Sequence, residues 1–382
     1  MSRIGINAIG RYVGGVESYI YNLIKELLAQ DTVNSFYLFV ANDQKSIYED
    51  LLIHENFKII SYPVNCTNPV VRILCENTLL PIDVMKHKID MVHHLCNYIP
   101  LFSPYKSVVT IHDLSVFYYH DKYPECRETR LSYNYFRKIA NFVTSKAERI
   151  IAVSGFTKQH LLNYFKVNPD KISVIGQSYD TRKNRELINS NILEKFNILK
   201  PYILTVSVIR PHKNFDFLIR VFNILKSKYQ LPHQLVIVGD VHFGAKNFFN
   251  EIKNSAFKDE ILYLSRIEAE ELSSIYNFAD VFVYPSLYEG FGIPLLEAMY
   301  FGLPVVASNA ASLPEVGGNA CLYFNPCDEN DACDKILKIL NDETKKNELV
   351  FNQKAMLDYY SWNNTVKKIL EIYNRVLGDI ND

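Results

Sequence analysis

The stretch YPSLYEGFGIPLLEAM, residues 284–299, places a glutamate on each side of a glycine turn. Glu289 lies in the turn, and Glu297 lies one helical turn beyond Pro294, a residue type favoured at the first position of a helix. The free N–H groups of a helix start attract anions, and a carboxylate can accept two hydrogen bonds from the vicinal diol of a ribose. The pattern predicts a nucleotide site, with Glu289 beside the phosphate and Glu297 on the diol. A capped surface helix with acidic residues in its first turn is the alternative.

The glycines of this turn, Gly290 and Gly292, allow the backbone to come close to a ligand. A second polar stretch, SVIRPHKNF, places Arg210 and Lys213 between a strand and a helix. Two cations in one loop suit a diphosphate and can neutralise charge that grows on a leaving group. A solvated basic loop is the alternative interpretation.

Three stretches in the first half of the chain also carry polar or glycine residues just after predicted strands. RYVGGVESY has a glycine pair, Gly14 and Gly15, which suits phosphate approach but lacks the G-x-G-x-x-G spacing, so that a simple tight turn stays open. TIHDLS ends a strand with His112, either an oriented cleft residue or a structural histidine. AVSGFTKQ places Ser154 at a helix start, where capping is favoured over a place in the cleft.

Strands and helices alternate along the whole chain in two series, which predicts two doubly wound α/β domains with parallel sheets. We place the first domain at 1–185 and the second at 195–360, with the polar segment 178–191 as the linker. The amphipathic segment 361–377 follows the second domain, and we expect 361–382 to cross back to the first. Ligands of open α/β sheets bind at the carboxyl ends of strands, so a cleft between the domains is the expected site.

Composition excludes several classes of protein. The 382 residues are too many for one core, and a formal net charge of −1 argues against nucleic-acid binding. Seven scattered cysteines form no Cys-x-x-Cys pair, and the amino terminus has no signal-peptide pattern. No apolar run is long enough to span a bilayer, and no metal-ligand, serine-nucleophile or Walker motif is present. We expect a cytoplasmic protein.

In this order, the motifs resemble those of the family 4 (group 1) retaining glycosyltransferases, which have the GT-B fold. The similarity covers nearly the whole chain, and its most specific part is Glu289-GFGIPLL-Glu297 with the following AMYFGLPVVASNAASLPEVGGNACLYFNP. The other motifs are the Gly-Gly turn at 14–15, IHDL at 111–114, AVS-x-FT at 152–157 and Arg210-x-x-Lys213. Ser361-Trp362 is similar to the start of the family's crossover helix.

The resemblance implies a nucleotide diphosphate sugar held mainly by the second domain. Arg210 and Lys213 would bind the diphosphate, and His112 would face the transferred sugar. Backbone at Arg266 and Ile267 would read the base, although Ser265 stands where the family often has glycine. The implied catalytic residues are His112, Glu289, Arg210 and Lys213. The implied donor contacts are Gly14, Gly15, Ser154, Arg266, Ile267, Gly290, Phe291, Gly292, Ile293 and Glu297.

The family further implies a metal-independent transfer of a hexose with retention of configuration, by displacement on one face. The similarity to O-antigen mannosyl- and rhamnosyltransferases implies a bacterial surface polysaccharide, with GDP-mannose as the first candidate donor and a lipid-linked oligosaccharide as acceptor. A sugar-nucleotide epimerase or a phosphorylase of the same fold is one alternative, and a non-catalytic scaffold is another.

The segment 120–150 suggests a peripheral contact with the inner face of the cytoplasmic membrane. It contains seven lysines and arginines, four acidic residues and the aromatic residues Tyr133, Tyr135 and Phe136. A basic, aromatic helix can rest on anionic lipid. A solvated helix that covers the core is the alternative.

Overall fold

The computed structural model describes residues 1–10, 15–63, 68–122, 127–241, 244–265 and 267–378. The chain forms two compact units. Unit 1 comprises Met1–Gln177 together with the residues from Ser361 onward, and unit 2 comprises Ser178–Tyr360. The boundary differs from the expected one because the segment 178–191 packs on unit 2. Within it, the Asn184 and Asn189 amides donate to the hydroxyls of two serines on one helix of unit 2, at 3.2 and 2.9 Å.

Unit 1 contains a seven-stranded parallel sheet with the order β3-β2-β1-β4-β5-β6-β7. Its central strands β1, β4 and β5 are buried along almost their whole length because helices cover both faces of such a sheet. The strands are β1 (Arg3–Asn7), β2 (Ser35–Ala41), β3 (Phe57–Tyr62), β4 (Met91–His94), β5 (Lys106–Ile111), β6 (Arg149–Ala152) and β7 (Ile172–Val174). The helices are α1 (Gly15–Gln30), α2 (Pro69–Lys86), α3 (Ser115–Lys122), α4 (Arg127–Lys146) and α5 (Gly155–Tyr164).

Unit 2 repeats this architecture with a six-stranded parallel sheet of order β10-β9-β8-β11-β12-β13. Its strands are β8 (Tyr202–Val206), β9 (Gln234–Val238), β10 (Ile261–Leu264), β11 (Val281–Tyr284), β12 (Val305–Ser308) and β13 (Cys321–Phe324). Its helices are α6 (Asn191–Lys195), α7 (Phe215–Tyr229), α8 (Lys246–Asn254), α9 (Ala269–Phe278), α10 (Ile293–Tyr300), α11 (Leu313–Gly317), α12 (Glu329–Asn341) and α13 (Glu343–Tyr359).

The last helix, α14 (Trp362–Leu377), belongs to unit 1 and packs against α1. Ser361 caps its first turn, and Trp362 packs on Tyr19 with the ring centres 5.8 Å apart. The Tyr373 hydroxyl lies 2.7 Å from Nδ1 of the fully buried His93. The apolar face of α14 is therefore part of the unit 1 core.

In each sheet, the connections that follow two neighbouring strands lead towards opposite edges of the sheet. These strands are β1 and β4 in unit 1, and β8 and β11 in unit 2. The crevice at such a point, outside the carboxyl ends of the strands, is where ligands of open α/β sheets bind. Both sheets therefore place a candidate site at their carboxyl edge.

Among the described helices, none has both the length and the apolar character that crossing a membrane would require.

Candidate active site

The loop between β11 and α10 is held by a side chain that hydrogen-bonds to its backbone. The Ser312 hydroxyl lies 3.0 and 2.7 Å from the carbonyl oxygens of Glu289 and Phe291. Gly292 has φ +112°, and a Cβ there would lie 2.8 Å from Cδ2 of Leu313. Only glycine fits this position without displacing a neighbour, so Gly292 fixes where α10 begins.

Glu289 is buried and ion-paired. Its Oε1 accepts from Lys213 Nζ at 2.6 Å and from the Tyr284 hydroxyl at 2.6 Å. Lys213 and Glu289 are each less than 10% exposed. Burial, followed by the Glu289 charge, raises the pKa of Tyr284 well above its ordinary value, which keeps the phenol protonated as a donor.

Lys213 reaches Glu289 because the loop after β8 lies against the loop after β11. Lys213 ends a single 3₁₀ turn, and Asn214 follows in the left-handed conformation, with φ +61°. The Asn214 amide donates to the carbonyls of Pro285 and Pro326 at 3.2 and 3.0 Å. His212 is buried between these loops, and burial, with the charges of Lys213 and Arg210 adding to it, lowers its pKa to about 2. The histidine is therefore neutral and structural.

Glu297 has a separate pair of partners. It forms an ion pair with Lys183, and its Oε2 accepts from the Tyr276 hydroxyl at 3.0 Å. Glu297 is 4% exposed. Lys183 follows Asp180, whose buried carboxyl would have a raised pKa but for Arg182 and Lys183, which lower it to about 2. Each glutamate thus has one lysine and one tyrosine, and the described contacts give the two no partner in common.

The site residues that the sequence did not identify are Lys183, Tyr276 and Tyr284. Tyr284 is the last residue of β11, directly before the glycine turn, and this position was the one signal in the sequence that could have identified it. Tyr276 lies on α9, where its hydroxyl points to a residue far along the chain. Lys183 lies in the segment that we expected to be a linker, and no local pattern distinguishes it.

His112 follows β5 in unit 1 and has partners on both ring nitrogens. Its Nε2 lies 2.7 Å from the Leu95 carbonyl, and its Nδ1 lies 2.8 Å from the Gln177 side-chain amide. Because a carbonyl can only accept, these partners assign the proton to Nε2 and leave the ring neutral. Burial also lowers the pKa of His112, although the Leu95 carbonyl and Asp113 raise it. As placed, the imidazole is held inside unit 1.

The remaining predicted positions are distributed as follows. Ser154 is buried and caps α5, since its Oγ accepts from the Thr157 amide at 3.0 Å. Gly15 begins α1 and is exposed, whereas Gly14 lies outside the described residues. Ile267 is half-buried, and Arg266 also lies outside the described residues. Ser265 next to it hydrogen-bonds to Asp240 at 3.3 Å.

In the described part of the chain, no group of three histidine, cysteine or carboxylate side chains is arranged to hold a metal ion.

Two family models match the chain. The model described as "Glycosyltransferase Family 4" matches residues 13–183, and the model described as "Glycosyl transferases group 1" matches residues 190–356. The two matches lie side by side and together account for most of the chain.

The chain is also similar to individual glycosyltransferases. The chain is 28% identical over 289 residues to the O-antigen chain mannosyltransferase B of Escherichia coli. The aligned region covers 74% of each protein. It is 29% identical over 283 residues to the serotype-specific mannosyltransferase WbdA of E. coli, which covers 72% of this chain. That match spans about a third of WbdA, 34% of its length.

Among solved structures, the chain is similar to Anabaena Alr3699/HepE in complex with UDP-glucose, with a TM-score of 0.73 at 17% identity. The similarity covers 98% of this chain and 100% of that one.

Proposed function

The chain belongs to the group 1 and family 4 glycosyltransferases and has the GT-B fold, and on this premise we propose that it transfers a hexosyl group from a nucleotide diphosphate sugar to a saccharide acceptor. Mannose is the proposed sugar and GDP-mannose the first candidate donor. The names of the curated relatives support an acceptor in O-antigen assembly, which we propose to be lipid-linked.

The observation that carries this proposal is the paired arrangement of the two glutamates in unit 2. Lys213 has three donor hydrogens, so it can hold Glu289 and a phosphate oxygen together. Each oxygen of the Glu297 carboxylate has a second lone pair, so Glu297 can keep Lys183 and Tyr276 and still accept from a ribose hydroxyl. Side chains of the protein hold both carboxylates in place.

We assign the chemistry to charge stabilisation in a buried site. As the bond from the sugar to the phosphate breaks, negative charge grows on the diphosphate, where Arg210 and Lys213 neutralise it. Positive charge grows on the sugar, where Glu289 stabilises it. The leaving phosphate oxygen takes the proton of the acceptor hydroxyl, which attacks the same face and retains the anomeric configuration. His112 then contributes through its ring edge or backbone, since both ring nitrogens are occupied.

We propose that unit 1 meets the membrane that carries the acceptor. The segment 120–150 is described in part: 123–126 lies outside the described residues, and Tyr135 and Phe136 of α4 are 48% and 43% exposed. Helix α2 offers a larger apolar surface. The exposed apolar side chains of α2 are Val70, Val71, Leu74, Leu79, Ile82 and Met85. Leu101 and Phe102 add to this surface from a neighbouring loop, in which the Leu101 backbone amide donates to the Asn77 side-chain oxygen.

The lysines at the end of α2, Lys86 and Lys88, are exposed. An apolar helix face flanked by cations suits an anionic bilayer surface, which attracts the cations and takes up the apolar side chains. We therefore extend the proposed membrane contact from α4 to α2.

A donor screen followed by a transfer assay tests the proposed function. Nucleotide sugars that bind should raise the Tm of the protein by mass action, and GDP-mannose is expected to give the largest shift. The donor that binds is then incubated with a mannosyl acceptor, and proton NMR of the product reads the anomeric configuration. Transfer should persist in EDTA; full loss that magnesium or manganese restores would contradict the metal-independent mechanism.

The same assay separates the alternatives. An epimerase would convert the donor without an acceptor, and a phosphorylase with pyridoxal phosphate would absorb visible light as purified. A scaffold would neither hydrolyse nor transfer any donor. Inversion of configuration would overturn the same-face displacement.

A further inference from the structure

Unit 1 contains a buried polar cluster that the proposed chemistry does not use. It consists of Asn7, Arg72, Glu76, His94 and Tyr105, and we call it the Asn7 cluster. Asn7 is the last residue of β1 and His94 is the last residue of β4, and these two parallel strands are neighbours. The cluster therefore lies at the carboxyl edge of the sheet, at the point where the strand order reverses and where open α/β sheets bind ligands.

The Asn7 side chain fixes the orientation of its neighbours. Its amide nitrogen donates one hydrogen to Glu76 Oε1 and lies within reach of His94 Nδ1, each at 3.1 Å. Its amide oxygen accepts from the Ile9 backbone, also at 3.1 Å. His94 Nδ1 is therefore the acceptor, and the proton of the neutral ring is on Nε2. Burial lowers the pKa of His94 to about 3, which agrees with a neutral ring.

Four polar atoms of the cluster have no hydrogen-bond partner among the described residues: Arg72 Nε, Glu76 Oε2, His94 Nε2 and the Tyr105 hydroxyl. Glu76 is 3% exposed and His94 is 1% exposed. Arg72 Nε lies 3.6 Å from Glu76 Oε2, and the rings of His94 and Tyr105 are stacked with centres 6.1 Å apart. Buried polar atoms are nearly always paired, and a group of four in one place indicates that something else pairs them.

The chemistry of these atoms selects the ligand. His94 Nε2 and Arg72 Nε can only donate, Glu76 Oε2 accepts, and the Tyr105 hydroxyl can do either. An ionised phosphate group offers mainly acceptor oxygens, and the ionised form of Glu76 would repel it. A metal ion would find a single carboxylate next to an arginine. A hydroxyl both donates and accepts, so the vicinal hydroxyls of a sugar match the set.

We propose that the Asn7 cluster binds the hydroxyl groups of a sugar ring of the acceptor. This inference rests on the proposed function, since it takes unit 1 to hold the saccharide that receives the hexose. It accounts for a carboxyl group whose burial is unfavourable. Burial raises the pKa of Glu76 to about 7, against the opposing effects of Arg72 and Asn7. Because this folded-state pKa lies above the unfolded value, Glu76 makes the protein less stable as pH rises from about 4.5 to about 7.

Two conservative variants test the inference on the full chain without a donor. Tyr105→Phe removes one unpaired hydroxyl, and Glu76→Gln keeps the bond from Asn7 while it replaces the unpaired oxygen with a donor. Saturation-transfer NMR is recorded with methyl α-mannoside, methyl α-glucoside and the methyl glycoside of N-acetylglucosamine. We expect the wild-type protein to bind at least one of them, and both variants to weaken that binding by about 10-fold or more.

The matched control is Tyr98→Phe, because the Tyr98 hydroxyl already accepts from the Asn77 amide at 2.9 Å. This variant should leave glycoside binding within about 2-fold of the wild type. A second readout does not depend on the sugar. Because Glu76→Gln removes a buried charge, its Tm should equal or exceed the wild-type Tm at pH 8, and this difference should decrease towards pH 5. The groups that interact with Glu76 are Arg72, Asn7, Tyr98 and Tyr105, and His94 shares the Asn7 amide with it. None of these residues is changed in this variant.

The outcomes separate this inference from the proposed function. If the wild type binds no methyl glycoside, or if both variants bind as well as the wild type, the cluster holds ordered water only and the inference is overturned. Transfer from a nucleotide sugar would then still support the proposed function. If no nucleotide sugar binds or reacts while a methyl glycoside binds through the cluster, the proposed function fails and the sugar site stands.

Discussion

Glu289 and Glu297 have different partners, and we expect their carboxylates to have different roles in the reaction. Glu289 is held by Lys213 and Tyr284, and Lys213 is also a candidate ligand of the phosphate that leaves. Glu297 is held by Lys183 and Tyr276 and is assigned to the ribose, which does not change during the reaction. In the proposed mechanism, charge changes around Glu289 in the transition state and stays constant around Glu297.

We therefore predict that the two glutamine variants fail in different kinetic parameters. Glu297→Gln removes a contact that is nearly as strong in the ground state as in the transition state. Donor KM should therefore rise by roughly 10–100-fold, with a smaller effect on kcat, because a hydrogen bond to a charged group is worth about 1.5–3 kcal/mol. Glu289→Gln should lower kcat by on the order of 100-fold. Arg210→Ala and Lys213→Ala should resemble Glu289→Gln. Steady-state kinetics with the cognate donor and acceptor measures this, and the reverse pattern would show that the assignments are exchanged.

Lys183 matters as the counter-ion of a buried carboxylate. Removal of one partner of a buried ion pair costs about 3–5 kcal/mol, because the other charge stays buried without compensation. We predict that Lys183→Met lowers the free energy of unfolding by about 3 kcal/mol in the wild type and by much less in a Glu297→Gln background.

Chemical denaturation of the two single variants and the double variant measures this coupling. Lys345→Met is the control, since Lys345 pairs with an exposed Glu348 on the surface, where a pair is worth under about 1 kcal/mol. Equal costs of Lys183→Met in both backgrounds would show that Lys183 does not neutralise Glu297.

Single side chains of the site were predictable from the sequence only where they lie within a motif. The residue types and spacing around Glu289 and around Arg210 predicted a phosphate and diol site. Lys183 and Tyr276 come to Glu297 from a distant loop and a neighbouring helix. Gln177 comes to His112 in the same way. Such contacts depend on tertiary packing, which no local pattern encodes.

At the scale of elements, the start of α10 depends on a backbone conformation that an L-residue with a side chain rarely adopts. Gly292 combines φ +112° with a neighbour, Leu313, that leaves no room for a Cβ. Gly378, after α14, has φ +84° with nothing within 4 Å of the Cβ position. The two glycines separate the cost of the conformation from the cost of the clash.

We predict that Gly378→Ala lowers stability by about 1 kcal/mol, the cost of the left-handed conformation alone. Gly292→Ala should cost a further 1–3 kcal/mol, roughly the cost of overpacking, and should also lower kcat/KM because the start of α10 moves. Denaturation midpoints and donor kinetics of both variants test this. Equal stability losses would mean that Leu313 can move aside without cost.

Most strands are predictable from the sequence because each is a short run of mainly apolar residues between turns. The two edge strands of the unit 1 sheet, β3 and β7, have a weaker sequence pattern. β3 exposes Lys58 and has half-buried residues through its centre, and β7 has only three residues. Helix α13 also has a weak sequence pattern: of its 17 residues only Leu349 and Gln353 are buried, so it has no apolar stripe.

At the scale of the whole molecule, the chain builds the same doubly wound unit twice and returns to the first with α14. The repetition and the return were expected from the alternating pattern and from the amphipathic segment 361–377. The exact boundary between the units was not expected. The polar residues of 178–191 are typical of a solvent-exposed linker, but several of them pack on unit 2. A polar sequence is compatible with both states, and only the contacts decide between them.

The exposed apolar face of α2 gives the whole-molecule prediction. Full-length protein should float with vesicles that contain anionic lipid and should bind less to zwitterionic vesicles, because lysines supply part of the attraction.

Leu74→Glu combined with Ile82→Glu should lower vesicle partitioning by about 100-fold, since each apolar side chain taken into the membrane is worth about 1.5–3 kcal/mol. Tyr135→Ser combined with Phe136→Ser on α4 should have a smaller effect. Phe351→Glu is the control, because Phe351 is 83% exposed and belongs to unit 2, whereas α2 belongs to unit 1. Flotation of the wild type that is independent of anionic lipid, or equal partitioning of the α2 variant and the control, would contradict membrane contact through this helix.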